Sequence, residues 1–404
     1  MGISRLKSST FLSFFLFVTM VSAFAQMPLV PNKVSLKDGR QFALNLPEGY
    51  EIVPAAEGLK RVRFFAVAPD GRIFVTDMFD MSDNRRGAVY ILDAWNSRQG
   101  KFGKVVPFIT DLRNPNSVAF HTDENGQDWF YLAETDKLTR RKFVKNSTEA
   151  SSEAEVLATF PAYGLGYKYG SWHLTRTIAF SPNGKLYVSI GTSCDSCEEK
   201  KSEKDLRGVI LEMNPDGTKR RVYARNIKNA VGMRWIGDRF FATNEGVDHL
   251  GLDAPDDTLD EIKDGGDYGW AKCYQANGAI QVDPKYIKKN KPLPDCSFVP
   301  VSWAFFPAHS SALGFDFFDG KTTDKNLKNS FLVALHGSTD RNQGRGYKIV
   351  AVRENNQQQD FITGFVEGIN IHGRPCDVLR MSSGSFLFSD DRAGVVYYVR
   401  RKKR

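Results

Sequence analysis

The sequence predicts an all-β fold, a six-bladed β-propeller, from a sixfold repeat, a recurring tight turn and a lack of long helical periodicity. Each repeat has a small or apolar strand, a turn of the Asp-Gly or Asn-Gly type, and a second apolar strand that ends in polar residues. Such turns need positive φ, so their place between alternating apolar runs is a strong hairpin signal. Six units that close on themselves leave no exposed sheet edge.

The spacing of the repeats favours a propeller over a β-sandwich or two unrelated β domains. The centres of the second strands are predicted at Val75, Leu132, Val188, Ala242, Val333 and Phe388. Most gaps are about 55 residues, slightly above the usual range for propeller blades. The gap from Ala242 to Val333 holds an extra segment of roughly 35 residues. We therefore expect one catalytic propeller over residues 26–404, with an insertion around 250–300.

The first 25 residues predict a secretory signal peptide rather than a part of the fold. Arg5 and Lys7 give a positive start, an apolar run follows over residues 11–23, and Ala23-Phe24-Ala25 resembles a cleavage site. The apolar run is short for a spanning helix, and no later segment has the unbroken apolar length to span a bilayer. We expect an exported chain, periplasmic or secreted, with no membrane span after cleavage.

The net charge is +8, and cleavage would remove Arg5 and Lys7. The basic excess is spread along the chain, apart from two runs, Lys285–Lys291 and Arg400–Arg404. Neither run carries the series of stacking aromatic residues that nucleic-acid surfaces use, so we interpret both as solvated edges and expect no nucleic-acid partner.

The five cysteines are compatible with export, because an oxidising compartment allows disulfides. Sequence proximity favours Cys194 with Cys197 and Cys273 with Cys296, which leaves Cys376 free, although spacing alone leaves the connectivity open. Position 198 is Glu and no second Cys-x-x-Cys follows, so the sequence gives little support for attached haem or a zinc ribbon.

Candidate functional residues lie at one phase of the repeat. In a propeller, ligands bind where blade loops converge, so such residues should lie just before a first strand or just after a second strand. Those at this phase are Arg63, His173, Arg176, Asn229, Arg374, the polar turn Asn244–Asp248 and His336. Arginines bind carboxylates bidentately and keep their charge, and a neutral imidazole can take a proton. The set predicts a mouth for an anionic ligand.

Several stretches form an ordered series of motifs along the chain. The first runs from His173 to Gly191 and continues with Cys194-Asp-Ser-Cys-Glu-Glu199. Further blocks follow at 224–232, 253–262, 265–270, 335–338, 373–377 and 389–397. In sequence and in order, these blocks resemble the sorbosone dehydrogenase-like quinoproteins. The wider family includes soluble glucose dehydrogenases and aldose sugar dehydrogenases, which are six-bladed propellers that use pyrroloquinoline quinone (PQQ) and calcium.

The resemblance implies a PQQ-dependent dehydrogenase that oxidises a sugar or polyol by hydride transfer to C5 of the quinone. It implies that His173 is the general base and that Arg176 faces the cofactor or a developing oxyanion. PQQ would be held by Arg63, Asn229, His336 and Arg374. Calcium would bind the backbone carbonyls of Gly246 and Val247. An external acceptor, a quinone or a cytochrome, would take the electrons.

Two other functions stay open. A calcium-dependent hydrolase of the lactonase type would need carboxylate metal ligands along the channel, where the repeat-end loops supply arginines. A non-enzymatic propeller that binds glycan or protein would leave the anionic-ligand mouth without a purpose.

The acidic stretch 253–260 lacks the spacing of an EF-hand, so we interpret it as a structural loop. Tyr169 and Trp172 would offer stacking faces to a sugar, with packing an equal alternative.

Overall fold

The computed structural model describes residues 26–162, 173–200, 202, 206–338 and 344–402. The predicted signal peptide and the predicted stacking residues Tyr169 and Trp172 lie outside these ranges. In the part of the chain that is described, no helix is both long and apolar enough to cross a membrane.

The chain opens with three strands and continues with two blades of four antiparallel strands each. The opening strands are β1 (Leu29–Ser35), β2 (Gln41–Pro47) and β3 (Tyr50–Glu57). Blade 1 contains β4 (Val62–Val67), β5 (Ile73–Asp77), β6 (Gly87–Asn96) and β7 (Lys101–Leu112). Blade 2 contains β8 (Ser117–Thr122), β9 (Asp128–Ala133), β10 (Lys137–Lys142) and β11 (Glu155–Thr159).

Blades 3 and 4 adjoin the insertion. Blade 3 contains β12 (Ile178–Phe180), β13 (Leu186–Ile190), β14 (Val209–Met213) and β15 (Arg221–Arg225). Blade 4 starts with β16 (Met233–Ile236), β17 (Arg239–Asn244) and β18 (Asp257–Glu261). The insertion holds β19 (Gly266–Asp267), β20 (Cys273–Ala276), β21 (Ala279–Val282) and the short 3₁₀ helix η1 (Pro284–Tyr286). Strand β22 (Ala304–Phe306) then completes blade 4, while β19 pairs in parallel with β15.

Blades 5 and 6 complete the ring. Blade 5 contains β23 (Ala312–Phe318), β24 (Ser330–Leu335), β25 (Lys348–Arg353) and β26 (Gln357–Ile362). A small hairpin follows, β27 (Val366–Glu367) and β28 (Asn370–Ile371). Blade 6 contains β29 (Pro375–Ser382), β30 (Ser385–Asp390) and β31 (Val395–Arg401).

The fourth strand of blade 6 comes from the other end of the chain. Strand β3 pairs antiparallel with β31, in a register that joins Tyr50 to Arg401 and Glu57 to Val395. The first strands of neighbouring blades contact one another around the whole ring, from β4 through β8, β12, β16 and β23 to β29 and back to β4. The predicted six-bladed β-propeller is therefore confirmed.

The second strands show why the repeat was visible in the sequence. Each of the six predicted centres lies in the second strand of a blade, namely in β5, β9, β13, β17, β24 and β30. These strands are buried almost throughout, because neighbours cover both of their faces. They therefore read as continuous apolar runs rather than as alternating ones.

A small apolar cluster of Phe64, Val231, Leu313 and Cys376 packs between blades. These residues come from the first strands, or the turns before them, of four different blades. The cluster therefore joins blades 1, 4, 5 and 6.

The cysteine pairing favoured by proximity is confirmed. Cys194 is bonded to Cys197, Cys273 is bonded to Cys296, and Cys376 is free and buried. The second disulfide closes the insertion between β18 and β22.

Candidate functional site

The predicted site residues lie at the same end of the propeller. His173, Asn229 and Arg374 precede first strands, while Gly246 and His336 follow second strands. The start of a first strand and the end of the second strand lie side by side in an antiparallel hairpin. The phase of these residues in the repeat therefore places them around one mouth.

His173 has its ring orientation set by Thr192. Nδ1 of His173 lies 2.9 Å from the Thr192 carbonyl oxygen and 3.2 Å from its Oγ1. The Thr192 hydroxyl donates its own proton to the carbonyl of Cys194 at 2.7 Å, so both Thr192 oxygens can accept from His173. The proton of a neutral His173 therefore belongs on Nδ1, and Nε2 carries the lone pair that can take a proton.

Burial keeps His173 neutral. Burial is the main reason that the pKa of its imidazole falls from 6.5 to about 3, and the positive charge of Lys228 lowers it further. Hydrogen bonding to Thr192 and the charge of Asp195 act in the opposite direction. Near neutral pH the ring is thus an unprotonated base.

Arg176 lies against the backbone of its own loop. Its guanidinium donates to the carbonyls of His173 at 2.7 Å, Thr175 at 2.8 Å and Pro161 at 3.0 Å. The side chain is almost fully buried. This differs from the predicted contact with a cofactor or oxyanion. The arrangement suits Arg176 to holding the loop that carries His173.

Asn229 and His173 both lie close to Gly191. A Cβ atom at position 191 would lie 2.5 Å from the Cβ of His173 and 2.7 Å from Oδ1 of Asn229. Nδ2 of Asn229 donates to the Glu245 carboxylate at 2.7 Å. Glu245 also acts electrostatically on Arg63, whose pKa is raised: burial opposes the rise, while Cys376, Asp391 and Glu245 favour it. These contacts connect the His173 side of the mouth to the arginine side.

Three cationic or imidazole side chains converge on the carboxylate of Asp391. Nη1 of Arg63 lies 2.9 Å from Oδ2 of Asp391, and Nη1 of Arg61 lies 3.0 Å from the same oxygen. Nε2 of His336 lies 2.8 Å from Oδ1. Asp391 is buried, and although burial alone would raise its pKa, His336, Arg61 and Arg63 hold it well below the ordinary value.

His336 is neutral as well. Burial lowers the pKa of its imidazole from 6.5 to about 3, and the positive charges of Arg374 and Arg63 act in the same direction. Asp391 raises the pKa of His336, but burial prevails.

Arg374 covers the turn after β24. Its Nε donates to the His336 carbonyl at 3.1 Å, and its Nη2 donates to the Gly337 carbonyl. Its guanidinium lies 5.5 Å from the centre of the Tyr347 ring. No hydrogen bond to its third nitrogen, Nη1, is made within the described ranges. Arg61, Arg63 and Arg374 thus bring three positive charges to one mouth, where Asp391 and Glu245 are carboxylates of opposite charge.

The turn predicted to bind calcium has its carbonyl engaged. The Lys228 ammonium donates to the Gly246 carbonyl at 2.5 Å and lies 3.1 Å from Oδ1 of Asp195. Val247 is buried. Calcium takes six to eight oxygen ligands, and an ammonium beside one of them repels it. As arranged here, the donors at this turn do not fit calcium, which differs from the prediction for Gly246 and Val247. Among the described residues, no group of three His, Cys, Asp or Glu side chains is arranged to hold a metal ion.

Four residues of this mouth were missed as individual candidates in the sequence: Arg61, Lys228, Glu245 and Asp391. Three of them carried a usable signal. Arg61 stands two residues before Arg63, so their side chains share a face at the start of the strand. Asp391 follows the second strand of the sixth repeat, at the tested phase, and Glu245 lies within the polar turn after the fourth. Lys228 carried no signal beyond its position next to Asn229.

A cavity of about 730 Å³ lies between the two disulfide loops. Its lining includes the aromatic residues Trp270, Tyr286 and Phe298 and the basic residues Arg207 and Lys272. The Trp270 indole donates to the carbonyl of Asp195 at 2.9 Å, which ties the cavity wall to the Cys194–Cys197 loop.

Comparisons with known proteins agree with this architecture. A 23% identical relative from Borreliella burgdorferi (strain ATCC 35210 / DSM 4680 / CIP 102532 / B31), an uncharacterized protein, matches over 417 residues, which cover 98% of this chain and all of the relative. The holo PQQ domain of pyranose dehydrogenase from Coprinopsis cinerea superposes with a TM-score of 0.71 at 16% identity, over 91% of this chain and 98% of that one.

Two further solved structures have the same fold. The calcium structure of a Trichoderma reesei carbohydrate-active enzyme of family AA12 gives a TM-score of 0.71 at 16% identity, over 94% of this chain and 99% of that one. The PQQ-bound aldose sugar dehydrogenase from Streptomyces coelicolor gives 0.59 at 16% identity, over 88% and 99%.

The family itself follows from a match to residues 116–339. This segment, more than half of the chain, matches the family model described as glucose/sorbosone dehydrogenase. It extends from the start of blade 2 into the turn after β24 and contains His173, Asn229 and His336. The chain therefore belongs to the glucose/sorbosone dehydrogenase family, and its class of activity is that of a sugar oxidoreductase.

Proposed function

We propose that the chain oxidises a sugar or polyol with PQQ as its redox cofactor and with His173 as the general base. The observation that carries the proposal is a neutral imidazole of fixed tautomer at the same mouth as three arginines. Family membership supports the class of reaction. Two of the superposable structures are a holo PQQ domain and a PQQ-bound enzyme, which supports the choice of cofactor.

The arginine side of the mouth fits the charge of PQQ, which carries three carboxylates. Arg61, Arg63 and Arg374 face the carboxylates of Asp391 and Glu245, so three positive charges stand against two negative ones. Guanidinium groups bind carboxylates through paired hydrogen bonds and stay charged at any physiological pH. We infer that Arg374 and Arg61 bind carboxylates of the cofactor, while Arg63 holds Asp391 in place.

Asn229 and His336 are inferred to border the cofactor from opposite sides. Asn229 is fixed by its bond to Glu245, and His336 is fixed by its bond to Asp391. Because His336 is neutral, it adds no charge to the cluster and would contribute to cofactor binding only through hydrogen bonds. Both side chains are oriented before a ligand arrives, which lowers the entropy cost of binding.

When bound, PQQ supplies the acceptor for the hydride that leaves the substrate carbon. His173 supplies the other half of the oxidation: its Nε2 takes the proton of the hydroxyl on that carbon. Thr192 keeps Nδ1 protonated and directed away from the substrate. Arg176 holds the carbonyl of His173 and thereby the position of the base. Proton and hydride together account for the two electrons and two hydrogens that the substrate loses.

The cavity between the disulfide loops is inferred to admit the sugar. Its volume of about 730 Å³ exceeds that of a monosaccharide, and Trp270, Tyr286 and Phe298 offer apolar faces for ring stacking. Gly208 lies between Thr192 and Trp270, since a Cβ there would contact both side chains. The cavity wall is therefore close to the partner of His173. The insertion would then shape substrate choice.

Export and the electron acceptor complete the proposal. Residues 1–25 have the pattern of a secretory signal peptide, so we infer that the chain acts in the periplasm or outside the cell. Position 198 is Glu rather than the His of a haem-attachment motif. We infer that a separate quinone or cytochrome takes the electrons from the reduced cofactor.

Reconstitution of the purified chain, residues 26–404, tests the proposal. The protein is mixed with PQQ, and the reduction of a dye is followed with a panel of aldoses and polyols. Turnover that needs PQQ supports the quinoprotein assignment and identifies the substrate class. No turnover and no saturable PQQ binding would contradict it, and hydrolysis of lactones or binding of glycans would then be measured on the same preparation.

A further inference from the structure

Lys228 is buried at the mouth of the propeller, where its ammonium has two defined partners. The residue precedes β16 and is only 4% exposed. Nζ donates to the Gly246 carbonyl at 2.5 Å and lies 3.1 Å from Oδ1 of Asp195. A lysine this deeply buried needs such partners, because an unpaired charge is costly away from water.

The carboxylate that pairs with Lys228 is held from other sides. Oδ1 of Asp195 accepts the backbone N–H of Asp248 at 2.8 Å, and Oδ2 lies 3.2 Å from Nδ1 of His249. Nε2 of His249 in turn lies 2.9 Å from the buried carboxylate of Asp283, in the insertion. Asp195 is therefore a fixed counter-ion, and it keeps the Lys228 ammonium in one place.

The Gly246 turn is fixed as well. Its N–H donates to Oδ1 of Asp257 at 2.7 Å, and Oδ2 of Asp257 accepts the N–H of Ser311 at 2.6 Å. A Cβ at position 246 would lie 2.5 Å from the Pro255 ring, so the backbone packs tightly there. The Gly246 carbonyl therefore has little freedom to turn from the ammonium towards another cation.

We propose that the Lys228 ammonium takes the position at the Gly246 carbonyl that the family resemblance assigns to calcium. The chain would then hold its anionic cofactor with a cation of its own and would need no divalent metal at this turn. The part of this inference that concerns the cofactor rests on the proposed function. The part that concerns cation binding does not.

Two observations support this role. Lys228 is near enough to His173 to be the second largest cause of its lowered pKa, so the ammonium and the proposed base share one site. A cavity of about 60 Å³ adjoins Lys228, Gly246 and Val247, and it offers space for a hydrated ion if the lysine side chain is removed.

Terbium, a luminescent substitute for calcium, tests the cation part without PQQ. Trp270 donates to the Asp195 carbonyl, so it is a built-in sensitiser of terbium emission at this position. We expect no saturable tryptophan-sensitised emission from the wild type, and a calcium-displaceable signal from Lys228→Ala that disappears when Trp270→Phe is added. A displaceable wild-type signal that Trp270→Phe removes would overturn the proposal, as would the lack of any gain in Lys228→Ala.

Two further variants control this experiment. Lys145→Ala is a matched change, because Lys145 also pairs with an aspartate, Asp128 at 3.3 Å, but at the opposite end of blade 2. It should leave the terbium response unchanged. Lys228→Met keeps the aliphatic stem and replaces Lys228→Ala if that variant does not fold. Asp195 retains the Asp248 N–H and His249 in both Lys228 variants.

A PQQ titration with chelator or with excess calcium tests the cofactor part. We expect the dissociation constant of the wild type to agree within about twofold between the two conditions. Lys228→Ala should bind PQQ at least about tenfold more weakly in chelator, with partial recovery in calcium. A tenfold weakening of the wild type by chelator would overturn the inference. If the wild type bound no PQQ in either condition, the proposed function would fail, and the terbium result would still decide the role of Lys228.

Discussion

His173 and Asn229 meet across Gly191, which has no side chain to separate them. A Cβ atom at position 191 would lie only 2.5 Å from the Cβ of His173 and 2.7 Å from Oδ1 of Asn229. The base and a proposed cofactor contact therefore depend on one position at the end of β13. This relationship can be tested without altering either functional side chain.

We expect Gly191→Ala to lower kcat by about 10- to 100-fold, because displacement of a catalytic group by a fraction of an ångström to one ångström has effects of this size. The added methyl group has to push His173 or Asn229 aside. Gly384→Ala is the control, since the nearest atom to a Cβ there is 3.9 Å away. Steady-state kinetics of the reconstituted enzyme measures the effect. Equal kcat values for both variants would contradict the geometry.

Removal of the imidazole should separate chemistry from cofactor binding. We expect His173→Ala to lose about 10²- to 10⁴-fold in turnover, the usual contribution of a general base. Its affinity for PQQ should stay near that of the wild type, because the arginine cluster remains. His121→Gln, a histidine that stacks on Phe180 at the other end of its blade, is the control. Activity of His173→Ala within tenfold of the wild type would exclude the base role.

Arg374 should act on the cofactor rather than on the chemical step. We expect Arg374→Ala to weaken PQQ binding by about 10- to 100-fold, the loss of one or two charge-assisted hydrogen bonds. Arg239→Ala is the control, because that arginine pairs with Glu261 at the exposed start of β17. Titration of PQQ against the apoproteins measures both constants. Unchanged affinity in Arg374→Ala would remove this residue from the cofactor site.

Two of the six histidines should stay neutral across the physiological range. Burial lowers the pKa of His173 and of His336 from 6.5 to about 3. Their unfolded forms bind protons first as the pH falls, so both contribute stability that is lost progressively from pH 6.5 towards pH 3. NMR of histidine-labelled apoprotein should show no titration of either ring between pH 8 and 5. PQQ should raise the pKa of His173, because the ligand brings negative charge.

Titration of the His173 or the His336 ring near pH 6.5 in the apoprotein would contradict the conclusion that burial lowers the pKa of both. His173→Gln and His336→Gln assign the two signals by their disappearance. The PQQ-induced rise in the pKa of His173 should be absent in Arg374→Ala when the PQQ concentration is too low to saturate that variant.

The sequence was sufficient for the repeat and for its phase, but not for which polar groups pair. Strand phase follows from local alternation and turn chemistry, so all six second-strand centres were predicted correctly. The phase also brought His173, Asn229 and His336 to one mouth. The closure of blade 6 by β3 was not predicted, because the pairing of Tyr50 with Arg401 leaves no local pattern in either segment.

The same limit applies to the site. Asp391 pairs with Arg61, Arg63 and His336, which come from two other segments of the chain, and nothing local to either segment signals that carboxylate. Arg176 lies beside His173 in sequence, yet its guanidinium turns to backbone carbonyls of its own loop. Phase predicts which end of the propeller a residue occupies. The direction of a long cationic side chain depends on acceptors that only the closed ring brings near.

Asp377 should make the protein less stable as the pH rises. This carboxylate joins blades 6 and 1 through Oδ2, which accepts the N–H of Phe65 at 3.0 Å, while Oδ1 is buried without a hydrogen-bond partner in the described part of the chain. Burial raises the pKa of Asp377 from 3.8 to about 7. The folded state therefore binds a proton that the unfolded state has lost. The resulting stabilisation is complete below pH 3.8 and disappears as the pH rises through 7.

Asp377→Asn removes the charge and keeps an oxygen that can accept from Phe65. We expect the variant and the wild type to have similar melting temperatures at pH 5, where Asp377 is protonated. Between pH 6 and 8 the melting temperature of the variant should rise relative to that of the wild type, because only the wild type then has to bury a charge or take up a proton. Thermal unfolding at several pH values measures the difference. Asp319→Asn, at an exposed carboxylate that pairs with Arg380, is the control and should show no gain above pH 6. A difference between Asp377→Asn and the wild type that stayed constant from pH 5 to 8 would show that this carboxylate does not titrate in that range.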